Sequence, residues 1–164
     1  MKSNGIDSDS SFFSLSITPS GCHSDASEWV FDTSATYHIC PRQEMFSSFG
    51  KLDGGMIWFG DGHTCRVEGI GATRIRLYDR TMRELKEVRY IPRMMKNLIS
   101  VGALEAEGLR QTLGEGVLKM SSGLLLVLKG IRHDNLYYLK GRIEIGNLVS
   151  SGQLNGAPWN SRVG

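Results

Sequence analysis

Apolar and polar positions in the middle of this chain alternate mostly with the period of β-strands. Thr73 to Leu77 reads T-R-I-R-L, which sets Ile75 and Leu77 on one face and Arg74 and Arg76 on the other. Leu85 to Ile91, L-K-E-V-R-Y-I, is rich in strand formers but alternates imperfectly, and Asp79-Arg80-Thr81 can turn the chain between the two as a hairpin. Short apolar runs follow at Gly116 to Met120, Leu124 to Leu128 and Leu136 to Leu139, separated by Ser-Ser-Gly and Arg-His-Asp-Asn. The clearest helical stretch is Val101 to Gly108, closed by a glycine suited to a C-cap. Short strands at this spacing, punctuated by 20 glycines, predict an all-β barrel or sandwich with one short helix.

The two ends have a different texture. Residues 1–26 are rich in Ser, Asp and Gly, interrupted by Phe12 and Phe13, and are expected to form a disordered leader or linker. Residues 146–164 have the same character and are expected to form a disordered tail, which leaves 27–145 as the folded domain. The whole chain has 164 residues, enough for one domain with a real core. Its 19 basic and 17 acidic side chains nearly cancel, so net charge gives no reason to expect nucleic-acid binding. The three cysteines, Cys22, Cys40 and Cys65, have no CxxC spacing, which suggests neither a disulfide framework nor zinc and favours a reducing compartment. The longest apolar run, Leu124 to Leu128, is far short of the ~18 residues of a membrane span. The N-terminal residues lack the pattern of a signal peptide.

The candidate chemistry lies in WVFDTSATYHICP, residues 29–41, where an uninterrupted apolar run ends in Asp32 and two hydroxyls. An aspartate there is ordinarily a turn or cap residue. It is also what an aspartic protease needs: two carboxylates that share a proton and activate a water for attack on a peptide carbonyl. Only one such sequence occurs, so a two-carboxylate site requires a symmetric homodimer with the site on its two-fold axis.

Four stretches, SEWVFDTSATYHICPRQEMFSSF, GDGHTCRVEGIGATRI, RELKEVRYIPRMMKNLISVGALEAEGL and GVLKMSSGLLLVLKGIRHDNLYYLKG, together resemble the protease region of Pol polyproteins from copia-type LTR retrotransposons, especially plant ones. The resemblance runs collinearly over about residues 28–141. Trp29, Asp32, Thr33, Ala35, Thr36 and His38 match the family pattern W-x-x-D-[ST]-[GA]-[AC]-[ST]-x-H. It implies a small retropepsin-like β-barrel acting as a homodimer, with Asp32 as the catalytic aspartate and Thr33 bracing the two active-site loops across the dimer. Ser34 and Ala35 would line the substrate path, and Gly60-Asp61-Gly62 resembles the tip of the flap that closes on substrate. Asn97 to Gly102 and the helix after it resemble the strand and helix that pack beneath the catalytic loop. The implied substrate is the Gag–Pol polyprotein in cytoplasmic virus-like particles, with no cofactor, metal, membrane or direct nucleic-acid contact. The chain reads as an excerpt of a longer frame, because Cys22-His23 lacks the remaining ligands of the zinc knuckle found upstream in such polyproteins.

Ser34 departs from the glycine usual at its position, and its Cβ and hydroxyl could crowd substrate or distort the turn. Two readings therefore stand: an aspartic endopeptidase, or an inactive β-barrel remnant or structural spacer. Other residues have plainer readings. His38 is expected to anchor the loop through a hydrogen bond. A Cys2His2 set from His38, Cys40, His63 and Cys65 has the wrong ligand gaps for zinc. Arg74, Arg76, Arg80, Arg83, Lys86 and Arg89 are expected to form a solvated sheet face, and Tyr137 and Tyr138 to pack.

Overall fold

A computed structural model describes residues 27–144. The expectations for the leader (1–26) and the tail (146–164), with Phe12, Phe13 and Cys22, lie outside the described residues. Within them the chain is all-β with one short α-helix and a single 3-10 turn at Gln43–Met45.

The strands are β1 (Trp29–Asp32), β2 (Ile39–Cys40), β3 (Ser48–Lys51), β4 (Met56–Trp58), β5 (Thr64–Arg66), β6 (Gly69–Leu77) and β7 (Met82–Tyr90). After these come β8 (Asn97–Ser100), helix α1 (Val101–Ala106), β9 (Arg110–Gly114), β10 (Val117–Ser122), β11 (Leu125–His133), β12 (Leu136–Leu139) and β13 (Gly141–Ile143). Eleven strands form one sheet in the order β13-β6-β7-β2-β8-β1-β12-β11-β10-β9, with β3 paired to β6, while β4 and β5 form a separate two-stranded hairpin. The helix is two residues shorter than the sequence predicts. Its C-cap is Glu107, and Gly108 adopts the left-handed φ of +100° that ends it.

The apolar run before Asp32 is explained by burial on both faces. Strand β1 pairs in parallel with β8 and antiparallel with β12. Trp29 and Phe31 point into one core with Ile99, Leu104, Leu118, Met120 and Leu128. Val30 and Leu98 point the other way, into a second core with Ile39, Phe59, Cys65, Val67 and Ile91. A strand with two covered faces has no polar face to alternate with, so WVF and NLIS read as continuous runs. Each such side chain contributes on the order of 1.5–3 kcal/mol by leaving water.

The imperfect alternation in β7 has a local cause. Gly71 pairs with Val88 and Thr73 with Leu85, so Ala72 faces two residues, and Glu87 takes a φ of +54° at that bulge. Leu85 and Val88 consequently both point inward despite being three residues apart. Gly71 is required by proximity: a Cβ there would lie 2.0 Å from the carbonyl oxygen of Ser48 on β3. The basic sheet face needs one correction. Arg83 is buried, only 7% exposed, because it shares the inward face of β7 with Leu85, and its Nε–H donates to the Val127 carbonyl at 3.4 Å. Tyr137 and Tyr138 are half-buried and pack against the two cores.

Candidate active site

Asp32 is the last residue of β1, and its register partner on β8 is Ser100, the N-cap of α1. Ser100 fastens both ends of the loop that follows Asp32. Its hydroxyl donates to the Ala35 carbonyl at 2.7 Å and accepts from the Ala103 N–H at 2.9 Å, while its own N–H donates to His38 Nδ1 at 3.0 Å. The loop from Asp32 to His38 therefore hangs from one buried residue at the strand-to-helix junction. Sequence reasoning passed over Ser100, although a serine immediately before a helical run is a recognisable N-cap signal.

His38 anchors the loop as expected and does so as a neutral ring. Burial, with the Arg89 guanidinium as a lesser contribution, pushes its pKa down to about 4. Because Nδ1 accepts from Ser100, the ring proton resides on Nε2, which is buried without a partner within the described chain. The Arg89 guanidinium lies 4.0 Å over the Tyr37 ring, and the Arg89 N–H donates to the His38 carbonyl at 2.8 Å.

The Asp32 carboxylate is asymmetric. Its Oδ1 accepts from the Ser34 N–H at 2.8 Å and from the Ser34 hydroxyl at 2.7 Å. Its Oδ2 is buried and has no partner within the described chain. Ser34 is not among the residues with left-handed φ, so a side chain is tolerated there without backbone strain. The serine hydroxyl is turned back onto the carboxylate. Thr33 is exposed.

The β4–β5 hairpin faces this loop across a pocket of about 330 Å³. Ser34, Ala35, Thr36, Tyr37, Ile39 and Leu98 line it from the loop and floor, and Ile57, Trp58, Phe59 and Gly60 from the hairpin. Of the residues expected from sequence, Ser34, Ala35 and Gly60 are brought together here, whereas Asp32, Thr33, Asp61 and Gly62 are outside the lining. The apolar lining residues were not foreseen, since each reads as ordinary core or surface until the hairpin folds over them.

At the hairpin tip Gly62 takes a φ of +94° and its N–H donates to the Phe59 carbonyl at 2.9 Å. Asp61 Oδ1 accepts from the His63 N–H at 3.1 Å and also meets His63 Nδ1. The His63 backbone N–H holds the Asp61 carboxyl below its usual range. Phe59 stacks on the His63 ring at 4.9 Å and reaches down into the second core. Cys40 and Cys65 are buried free thiols, with burial pushing Cys40 up to about 12. Among the described residues, no three His, Cys, Asp or Glu side chains are grouped as a metal site requires.

Residues 29–109 match the family described as "Pol polyprotein, beta-barrel domain". The chain is 30% identical over 139 residues to the retrovirus-related Pol polyprotein from transposon TNT 1-94 of Nicotiana tabacum, covering 84% of this chain and 10% of the relative. It is 36% identical over 76 residues to a putative transposon Ty5-1 protein of Saccharomyces cerevisiae, covering 46% of this chain and 49% of that protein. It is 32% identical over 78 residues to the retrovirus-related Pol polyprotein from transposon RE2 of Arabidopsis thaliana, covering 47% of this chain and 5% of the relative. The chain thus spans from a twentieth to about half of the length of these relatives. No solved structure matches it. The resemblance to the copia-type Pol region, and the all-β barrel it implies, both hold.

Proposed function

Starting from a chain that carries a retrotransposon Pol β-barrel domain, we propose that it is one half of a homodimeric aspartic endopeptidase acting on Gag–Pol polyprotein junctions. The observation that carries the proposal is the Asp32 carboxylate at the end of a doubly buried strand, with Oδ1 fixed by Ser34 and Oδ2 buried without a partner. A lone buried carboxylate oxygen is costly unless something meets it. A second Asp32 across a two-fold axis would meet it by sharing a proton, which is the state from which a carboxylate pair activates water.

In the proposed reaction one Asp32 accepts a proton from the attacking water while the other donates one to the scissile carbonyl oxygen. The Ser34 N–H and hydroxyl hold the carboxylate plane during this exchange, and the β4–β5 hairpin closes over the peptide to exclude water. The pocket beside the loop would receive an apolar side chain of the substrate, its walls being Ile39, Ile57, Phe59 and Leu98.

The competing reading, an inactive barrel, draws on Ser34, which lines the same pocket that substrate would enter. Self-cleavage of the chain extended by its flanking polyprotein segments separates the two. Wild type and Ser34→Gly are expected to cut at mildly acidic pH, and Asp32→Asn is not. Cutting by Ser34→Gly alone would make this copy a folded relic. Absence of cutting in all three, with all three folded, would leave the structural reading.

A further inference from the structure

The balanced net charge of the chain hides an uneven distribution. Strands β10 and β11 set Lys119 directly opposite Lys129. Lys140, just past β12, continues that register, and its N–H donates to the Lys129 carbonyl at 2.8 Å. Directly opposed residues on neighbouring strands share a face, with Cα atoms ~5 Å apart. Three lysines therefore stand side by side across three strands, on the face opposite the buried Leu118, Met120 and Leu128. Like charges in that position destabilise a sheet. None of the ion pairs among the described residues includes any of the three lysines.

The row leads into a groove of about 830 Å³ whose walls include Arg76, Arg80, Lys140 and Arg142. Its floor carries Leu77 and Leu139, and Tyr78 stands in it with 69% of its surface exposed. The Lys140 ammonium lies 4.9 Å from the Tyr78 ring centroid, covering one face of the ring. One carboxylate, Glu144, lines the groove, and a second, Asp79, lies in the turn between Tyr78 and Arg80. Glu144 is paired to Arg76 at 2.6 Å, and Asp79 is occupied in the hairpin turn by the Thr81 N–H at 2.9 Å. Arg142 also acts on the Glu144 carboxylate, while Arg80 and Lys140 have no carboxylate partner among the described ion pairs.

We propose that this track, from Lys119 through Lys129 and Lys140 to the Arg80–Arg142 groove, binds single-stranded nucleic acid, with Tyr78 stacking on a base. The cations follow a phosphate backbone, and an exposed ring on an apolar floor gives an unpaired base its π-face. A duplex would satisfy the lysines and leave the ring without a base to stack on. An anionic membrane would likewise use the charges but has no base for Tyr78. The inference is independent of the peptidase reading, since no residue of the track touches Asp32 or the pocket beside it.

The test is fluorescence anisotropy of the full chain with labelled oligo-dT and oligo-rU at several salt concentrations. Binding is expected at low salt, with log K falling against log salt at a slope of about −2 to −3.5, for three to five phosphates at about −0.7 each. Tyr78→Ala is expected to weaken binding about tenfold and Tyr78→Phe to preserve it, because only the ring is needed. Lys129→Glu with Lys140→Glu is expected to weaken it more than tenfold. Lys51→Glu, an exposed lysine on β3 beside the far end of β6, changes the net charge outside the track and is expected to leave binding within about twofold. Three results would overturn the proposal: no oligonucleotide binding at low salt, equal losses from Lys51→Glu and the track lysines, or binding to phosphatidylserine vesicles without binding to oligonucleotide.

Discussion

The floor and the lid of the pocket beside Asp32 are held by opposite means. The floor is β1, β8 and the start of α1, where Trp29, Val30, Leu98, Ile99, Ser100 and Leu104 are almost completely buried between two cores. The lid is the isolated β4–β5 hairpin, where Met56 is half exposed and Trp58 is 75% exposed. Its tip is ordered by contacts within a few residues: Asp61 with His63, Phe59 with His63, and the Gly62 turn. Tertiary burial fixes the carboxylate throughout, whereas the cover joins the second core only through Ile57, Phe59 and Cys65, and local bonds shape its exposed tip. Perturbing the floor should therefore cost stability, and perturbing the exposed residues of the lid, Met56 and Trp58, should change stability little and, under the peptidase reading, cost substrate binding.

The largest effect should come from the floor's packing. Ile99→Ala, at a fully buried position, is expected to lower unfolding free energy by about 2–5 kcal/mol, read from urea denaturation. The contrast fails if a substitution at the exposed lid positions Met56 or Trp58 costs as much.

The floor should next reveal itself through pH. Burial holds the His38 pKa at about 4, below its ordinary 6.5, so the folded state favours the neutral ring. Between those values the unfolded chain binds more protons, and stability rises with pH. The contribution is complete above about 6.5 and is lost as pH falls towards about 4, on the order of 3 kcal/mol in all. His38→Gln should flatten the slope of stability against pH in that window. An unchanged slope would remove His38 from the account of the floor.

Ser100→Ala should follow, costing about 1–2 kcal/mol through the lost N-cap and the Ala35 carbonyl left without its donor. Under the peptidase reading, activity should fall further than stability, because the same residue suspends the loop that holds Asp32. The smallest effect on stability should be Trp58→Ala, within about 0.5 kcal/mol by thermal unfolding. Under the peptidase reading, KM for a peptide substrate should rise. A loss of stability comparable to that of Ile99→Ala would mean that the exposed tip, and not only Phe59 and Cys65, is held by tertiary packing.

How much of this was legible beforehand follows the range of the interactions. The all-β class and the helix after residue 100 were readable because period and caps are written in neighbouring residues, whereas the hairpin tip at Gly60-Asp61-Gly62 came from the family resemblance. The run before Asp32 was readable as a buried strand, but not as one with two covered faces, since β12 lies more than a hundred residues away in sequence. Arg83 was misread as solvated because its charge outweighed its place in the alternation, which puts it on the inward face with Leu85. Of the pocket lining, Ser34, Ala35 and Gly60 were named in advance, all three from the family resemblance. Ile57 and Trp58 were missed because only folding brings them beside the loop after Asp32, while Leu98 and Ser100 lie in the stretch that the resemblance placed beneath it, with their individual contacts unforeseen. The lysine row was invisible for the same reason: it exists only in the register of β10, β11 and the chain leaving β12.

The pairing of β1 with β12 also sets an order of events. Val30 meets Tyr138, and Trp29 meets Asn97, so the strand that carries Asp32 is made early but lacks one neighbour until β8 exists and the other until β12 exists. Closing loops of that length is slow relative to forming the β6–β7 hairpin, whose strands are four residues apart. During synthesis from the N-terminus, Asp32 would leave the ribosome more than a hundred residues before its strand gains a second edge partner. In a growing polyprotein that delay is a clock: the carboxylate cannot be fully seated until the sequence downstream of it has been translated.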